Sequence, residues 1–74
     1  MDFLKALTVP RLAAYLEDNG VSSEATKSLV NNKVSGRALL LVESRELKEL
    51  IPTIGDLAIV RELLENARKV TVNS

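Results

Sequence analysis

Ten acidic and ten basic side chains, with no histidine and no cysteine, are the ionisable groups that the 74 residues bring to any reaction, apart from one tyrosine. Carboxylates can work in pairs as general acid and base, or gather round a metal ion, but both tasks need convergent groups and most often an imidazole or thiolate among them. Here the acids are scattered as helix-surface residues, and no glycine-rich phosphate loop follows a strand pattern. The residues therefore imply no catalysis, no bound metal and no cofactor. What remains is non-covalent chemistry: charge pairs, capping hydroxyls and aliphatic side chains that a small core cannot absorb.

Two stretches concentrate that chemistry. The first, NNKVSGRALLLVESRELKEL (residues 31–50), holds three consecutive leucines. Gly36 permits close backbone approach and Leu39 and Leu40 are expected in the core. One short helix can hardly bury a third leucine, so Leu41 is expected on an exposed patch. The mixed charges of ESRELKEL form neighbouring pairs three and four apart, each worth only roughly 0.2–0.5 kcal/mol, and read as a solvated face. The second stretch, Thr53-Ile54-Gly55-Asp56, has capping-box spacing with Asp in place of Glu. Asp56 reads as a cap facing the helix dipole. Leu57 lies at the edge of an apolar arc, where core and contact readings balance.

The elements that must position these groups follow from composition. Hydrophobic residues make up 46% of the chain and aromatics 3%, so the core is aliphatic, which favours helices over a sandwich or barrel. A chain of this size forms one domain, near the limit at which a single core suffices without disulfide, metal or partner. Divided after Arg37, five bases face four acids in the first part and five face six in the second, so neither half has a basic or acidic tail. A general attraction to nucleic acid or to an anionic membrane is not indicated. Zero net charge offers little repulsion between copies and so permits self-association. The absence of cysteine points to an intracellular setting, cytoplasmic or nuclear. MDFLKAL is neither signal peptide nor membrane span and reads as a lead-in packing Phe3, Leu4 or Leu7 on the bundle.

Five helices are predicted. The first follows Thr8, with Pro10 in its opening turn, places Leu12, Tyr15 and Leu16 at helical spacing, and ends at Asp18-Asn19-Gly20. Ser22 or Ser23 caps the second, which carries Glu24, Ala25 and Leu29 and closes on Asn31 and Asn32. The third restarts at Ser35 and is little more than a turn. The fourth restarts near Ser44, turns Leu47 and Leu50 inward and stops at Pro52. The last runs from Thr53 to about Lys69. On a helical wheel Leu57, Val60, Leu63, Leu64 and Ala67 share an arc, with Ile59 and Val70 at its margin and Arg61, Glu62, Glu65, Arg68 and Lys69 opposite.

In order and spacing these features resemble the sterile alpha motif (SAM) domain, a five-helix interaction module, from about Leu7 to Ala67. Leu7 stands where the family usually has Trp, Tyr15-Leu16 matches its Trp-Leu, and Gly20-Val21 its Gly-Leu turn. Leu29 takes the place of a core Phe, VSGRALL looks like the family's IDGxxLL, and ELKEL like its DLKEL. Gly55 matches the glycine that opens the final helix. The departures are an aliphatic core, a shorter connection at IPTIG, and Gly55-Asp56-Leu57 in place of Gly-His-Arg.

The resemblance implies an all-α, compact five-helix bundle, one SAM-like domain over residues 1–74, serving protein–protein interaction with itself or another SAM-type domain. It implies two surfaces, which used head to tail would build dimers or polymers. The mid-loop surface would contain Asn31, Lys33, Arg37, Leu41, Glu43 and Glu46. The end-helix surface would contain Gly55, Asp56, Leu57, Ala58 and Arg61. Some members of the family bind RNA hairpins through a basic surface near the final helix, which makes RNA binding the alternative. Asp56 and Leu57 stand there in this chain, and Glu62 and Glu65 interrupt Arg61, Arg68 and Lys69, so RNA ranks second.

Overall fold

Serine, asparagine, glycine and proline divide the chain into short helices. The computed structural model describes residues 3–72, and side chains as far as residue 67. Among these are five α-helices and no strand: α1, Val9–Asp18; α2, Ser23–Asn31; α3, Gly36–Leu41; α4, Ser44–Leu50; and α5, Ile54–Val72. A 3-10 helix, Leu4–Ala6, precedes them. The last helix thus extends three residues past the Lys69 expected for its end. The wheel positions Arg68, Lys69 and Val70 lie outside the described side chains.

One stop-and-start signal occurs twice. Asn19-Gly20-Val21-Ser22-Ser23-Glu24-Ala25 returns thirteen residues later as Asn32-Lys33-Val34-Ser35-Gly36-Arg37-Ala38. In each, the valine N–H donates back to a leucine carbonyl, Val21 to Leu16 at 3.0 Å and Val34 to Leu29 at 2.9 Å. The residue before the valine donates to the helix too, Gly20 to Glu17 at 3.0 Å and Lys33 to Val30 at 2.9 Å. These paired bonds satisfy carbonyls that a helix end leaves open, and they throw the following valine inward. Both valines are buried. The serine then caps the next helix, Ser22 Oγ accepting from Ala25 N–H and Ser35 Oγ from Ala38 N–H, each at 3.3 Å.

This stop requires a left-handed residue. Gly20 supplies it at φ 100° and Lys33 at φ 55°. A side chain there costs roughly 1 kcal/mol that glycine avoids. The two turns also receive different neighbours. Gly36, in the second, donates its N–H to the Leu7 carbonyl at 3.0 Å, and a Cβ on it would stand 1.7 Å from the Leu4 carbonyl oxygen. Only a residue without a side chain lets the 3-10 helix lie against α3.

The side chains that these turns direct inward build one aliphatic core. Leu12 and Leu16 of α1, Leu29 of α2, Leu39 of α3, Ile51 after α4 and Val60 of α5 are essentially inaccessible. Each contributes about 1.5–3 kcal/mol through burial. Leu4 joins them and Leu7 packs at the margin, while Phe3 stays exposed with its ring edge-on to Tyr15, centroids 5.2 Å apart. Thr26, the buried polar residue of the core, donates to Glu17 at 2.6 Å and so ties α2 to α1.

The leucine triplet resolves as helical geometry requires. Successive residues point about 100° apart, so three in a row span too wide an arc for all to face inward. Leu39 is buried and Leu41 is 72% exposed. Leu40, expected in the core beside Leu39, is instead half-buried at the core's edge. α4 starts at Ser44 as anticipated, with Glu43 as the cap residue, its N–H donating to the Glu46 carboxylate at 3.2 Å.

Candidate functional site

The second turn and the helices around it present the first surface. Asn31 ends α2, Lys33 occupies the left-handed position, Arg37 and Leu41 stand one turn apart on α3, and Glu43 and Glu46 begin α4. All six are exposed. The fold leaves Arg37 and Leu41 outside because Leu39 and Gly36 take the inward face of so short a helix. Val30, 42% exposed beside Asn31, adds apolar area that sequence reasoning passed over. Its signal was its position directly after core Leu29.

The second surface lies at the start of α5, and here one assignment changes. Leu57, for which core and contact readings balanced, is buried at 8% exposure. It shares its face with Val60 and Leu64, three and seven residues on, and belongs to the core rather than to any docking surface. The apolar residue facing solvent is Ile54, 84% exposed. Gly55, Ala58 and Arg61 are exposed with it. Nothing crowds Gly55, since a Cβ there would meet no atom within 4 Å.

Asp56, expected as a cap facing the helix dipole, lies in the first turn of α5 and binds hydroxyl groups and a distant backbone N–H instead. Its carboxylate accepts from the Thr53 hydroxyl at 2.5 Å, from the Ser22 hydroxyl at 2.7 Å and from the Ser22 N–H at 2.9 Å. The Thr53 bond comes first, and the two Ser22 bonds second, in holding the carboxyl below the ordinary aspartate value of 3.8. A single acid therefore pins the start of α5 to the first turn.

Arg61 does not extend the α5 start. With Glu65 and Leu64 it lines a shallow cleft whose other wall is Val42, Ser44 and Leu47, so its side chain borders the α3–α4 junction. The exposed row continuing from Ile54 is Ala58 and Glu62, at successive turns of α5. Each surface thus pairs an exposed aliphatic residue with mixed charge: Lys33 and Arg37 precede Leu41 and Glu43 and Glu46 follow it, while Asp56, Arg61 and Glu62 follow Ile54.

Among the described residues no group of three or more acids could hold a metal ion, and no helix is long and apolar enough to cross a membrane. Comparison with family models, with curated proteins and with solved structures finds no match to the chain.

Proposed function

We propose that this domain is a non-catalytic protein–protein association module of the sterile alpha motif type, joining copies of itself or docking another such domain. The contacts are the α2–α4 surface, with Asn31, Lys33, Arg37, Leu41, Glu43 and Glu46, and the start of α5, where Ile54 replaces Leu57 beside Gly55 and Ala58. A contact between two different surfaces does not close on itself, so copies using both chain head to tail. The observation that carries this reading is the exposure of Leu41 and Ile54, the two most exposed large aliphatic residues described, on separate elements. Water-facing leucine and isoleucine gain most by being covered. RNA finds less support, because ionised Asp56 occupies the helix start where phosphate would need cations.

The test is molar mass against concentration by light scattering. Assembly should grow with concentration and weaken in Leu41→Glu and Ile54→Glu, with helicity unchanged since both side chains are outside the core. A mixture of the two variants should form a dimer that extends no further, because each keeps one intact surface. Folded variants that assemble like wild type would show that these surfaces are the wrong ones.

A further inference from the structure

Asparagine followed by glycine is a reactive pair, because the glycine nitrogen, with no side chain to hinder it, can attack the asparagine side-chain carbonyl. The chain holds one such pair, Asn19-Gly20, in the first turn, and both residues are exposed. The second turn supplies a control, since there Asn32 is followed by Lys33. The two asparagines share their backbone geometry, φ −95° and ψ 7° at Asn19 against φ −95° and ψ 9° at Asn32. Each Nδ2 donates to the carbonyl four residues back, Asn19 to Tyr15 and Asn32 to Ser28, both at 2.8 Å. The N–H that follows is engaged too, Gly20 on Glu17 and Lys33 on Val30. What differs at the reacting atoms is the residue that would attack.

We propose that Asn19 is a site of spontaneous covalent modification, losing its side-chain amide to attack by the Gly20 nitrogen whenever the first turn opens. A base in solvent removes the Gly20 N–H proton, the nitrogen bonds to Asn19 Cγ, the Cγ–Nδ2 bond breaks, and the amide nitrogen takes a proton from water and leaves as ammonia. Water then opens the five-membered imide. Breaking the bond from nitrogen to Cγ gives aspartate; breaking the bond from nitrogen to the main-chain carbonyl gives isoaspartate. No electrons are exchanged. The folded turn withholds this reaction. Ring closure needs the Gly20 nitrogen eclipsed with Cβ about the Cα–C bond of Asn19, and at a ψ so near zero it eclipses the Asn19 nitrogen instead. Reaching the reactive rotation breaks the bonds of Gly20 to Glu17 and of Val21 to Leu16, and Asp56 resists it by holding Ser22 just beyond. The product weakens the turn that had protected it. A carboxylate replaces the donor to Tyr15 at the C-terminal end of α1, where the helix dipole disfavours negative charge. Isoaspartate also adds a methylene to the backbone, which shifts Val21 and Ser22 out of register. Loss of ammonia makes the change one-way, so it accumulates with the age of the molecule.

The experiment incubates the full chain in mildly alkaline, ammonia-free buffer, folded and in guanidinium, and follows each asparagine by peptide mass mapping with released ammonia measured in parallel. In guanidinium Asn19 should gain the mass difference between NH and O several-fold faster than Asn32, and Gly20→Ala should slow it. Folded, Asn19 should react several-fold more slowly than in guanidinium. Asp56→Ala should speed the folded reaction without changing the unfolded one, and Thr53→Ala, which removes one of the three bonds to Asp56, should do so by less. Asn19→Asp, the product made directly, should melt below wild type. Asn19 reacting no faster than Asn32 in guanidinium would remove the site. Equal rates at Asn19 folded and unfolded, or folded Asp56→Ala and Thr53→Ala both reacting as wild type does, would overturn control by the turn. Asn19→Asp melting with wild type would overturn the weakening.

Discussion

The turns at Asn19–Ala25 and Asn32–Ala38 share four of seven residues and the same valine and serine-cap hydrogen bonds, yet they receive different neighbours. The first is clamped: glycine takes the left-handed position and Asp56 of α5 closes over Ser22. The second receives the chain's beginning against Gly36, keeps a cation at its left-handed position, and leads into exposed Arg37 and Leu41. A local motif fixes how one helix stops and the next starts. What docks on it differs: Asp56 of α5 at the first turn, the 3-10 helix at the second.

Substitution at the glycines should separate the two most strongly. Gly36→Ala drives a Cβ into the Leu4 backbone, which cannot rotate aside, and should cost about 3 kcal/mol, read as a large fall in Tm. Gly20→Ala has space, its nearest neighbour being Ile59 Cδ1 at 3.5 Å, and should lose only the backbone term, roughly 1–2 kcal/mol. Equal losses at both would erase the distinction between close packing in one turn and conformation in the other.

Removing the clamp comes next. Asp56→Asn should lower Tm at neutral pH. The folded carboxyl titrates below 3.8, so its stabilising contribution is present above that value and is lost as pH falls through the folded pKa. Wild type should therefore lose stability on acidification more steeply than Asp56→Asn, measured as Tm against pH. Parallel curves would mean that Ser22 and Thr53 are not held by the charged form. The smallest change is Lys33→Gly, which should leave Tm unchanged or raise stability by up to about 1 kcal/mol, because relief of the left-handed strain is partly offset by the freedom glycine gains when unfolded.

These contrasts also mark what the sequence could and could not reveal. Helix starts near Thr8, Ser22, Ser35 and Ser44 were legible because polar caps, early proline and polar stops act within a few residues, although only Ser22 and Ser35 cap through a hydroxyl and the cap of α4 is Glu43. Exposure of Leu41 was legible from the crowding of three leucines on one short helix. Leu40 was not, since whether the second leucine reaches the core depends on the roll of α3. The burial of Leu57, balanced in sequence between core and contact, and the exposure of Ile54, to which no role was assigned, were hidden for a similar reason: the wheel orders residues on α5 but does not say where the neighbouring helices cut the arc. The bonds from Ser22 to Asp56 join residues 34 apart, and no local pattern announces them. The 3-10 helix beside Gly36 was foreseen only as a lead-in, because its contact is with backbone rather than with a recognisable apolar face.

The proposal that the exposed side of the second turn faces a partner is tested most directly by a dilution series followed by amide nuclear magnetic resonance. The account predicts concentration-dependent shifts at Lys33, Arg37 and Leu41 together with Ile54, Ala58 and Glu62, while Gly20, Val21 and Ser22 keep their positions. Shifts centred on residues 19–25, or spectra that do not change with concentration, would contradict it.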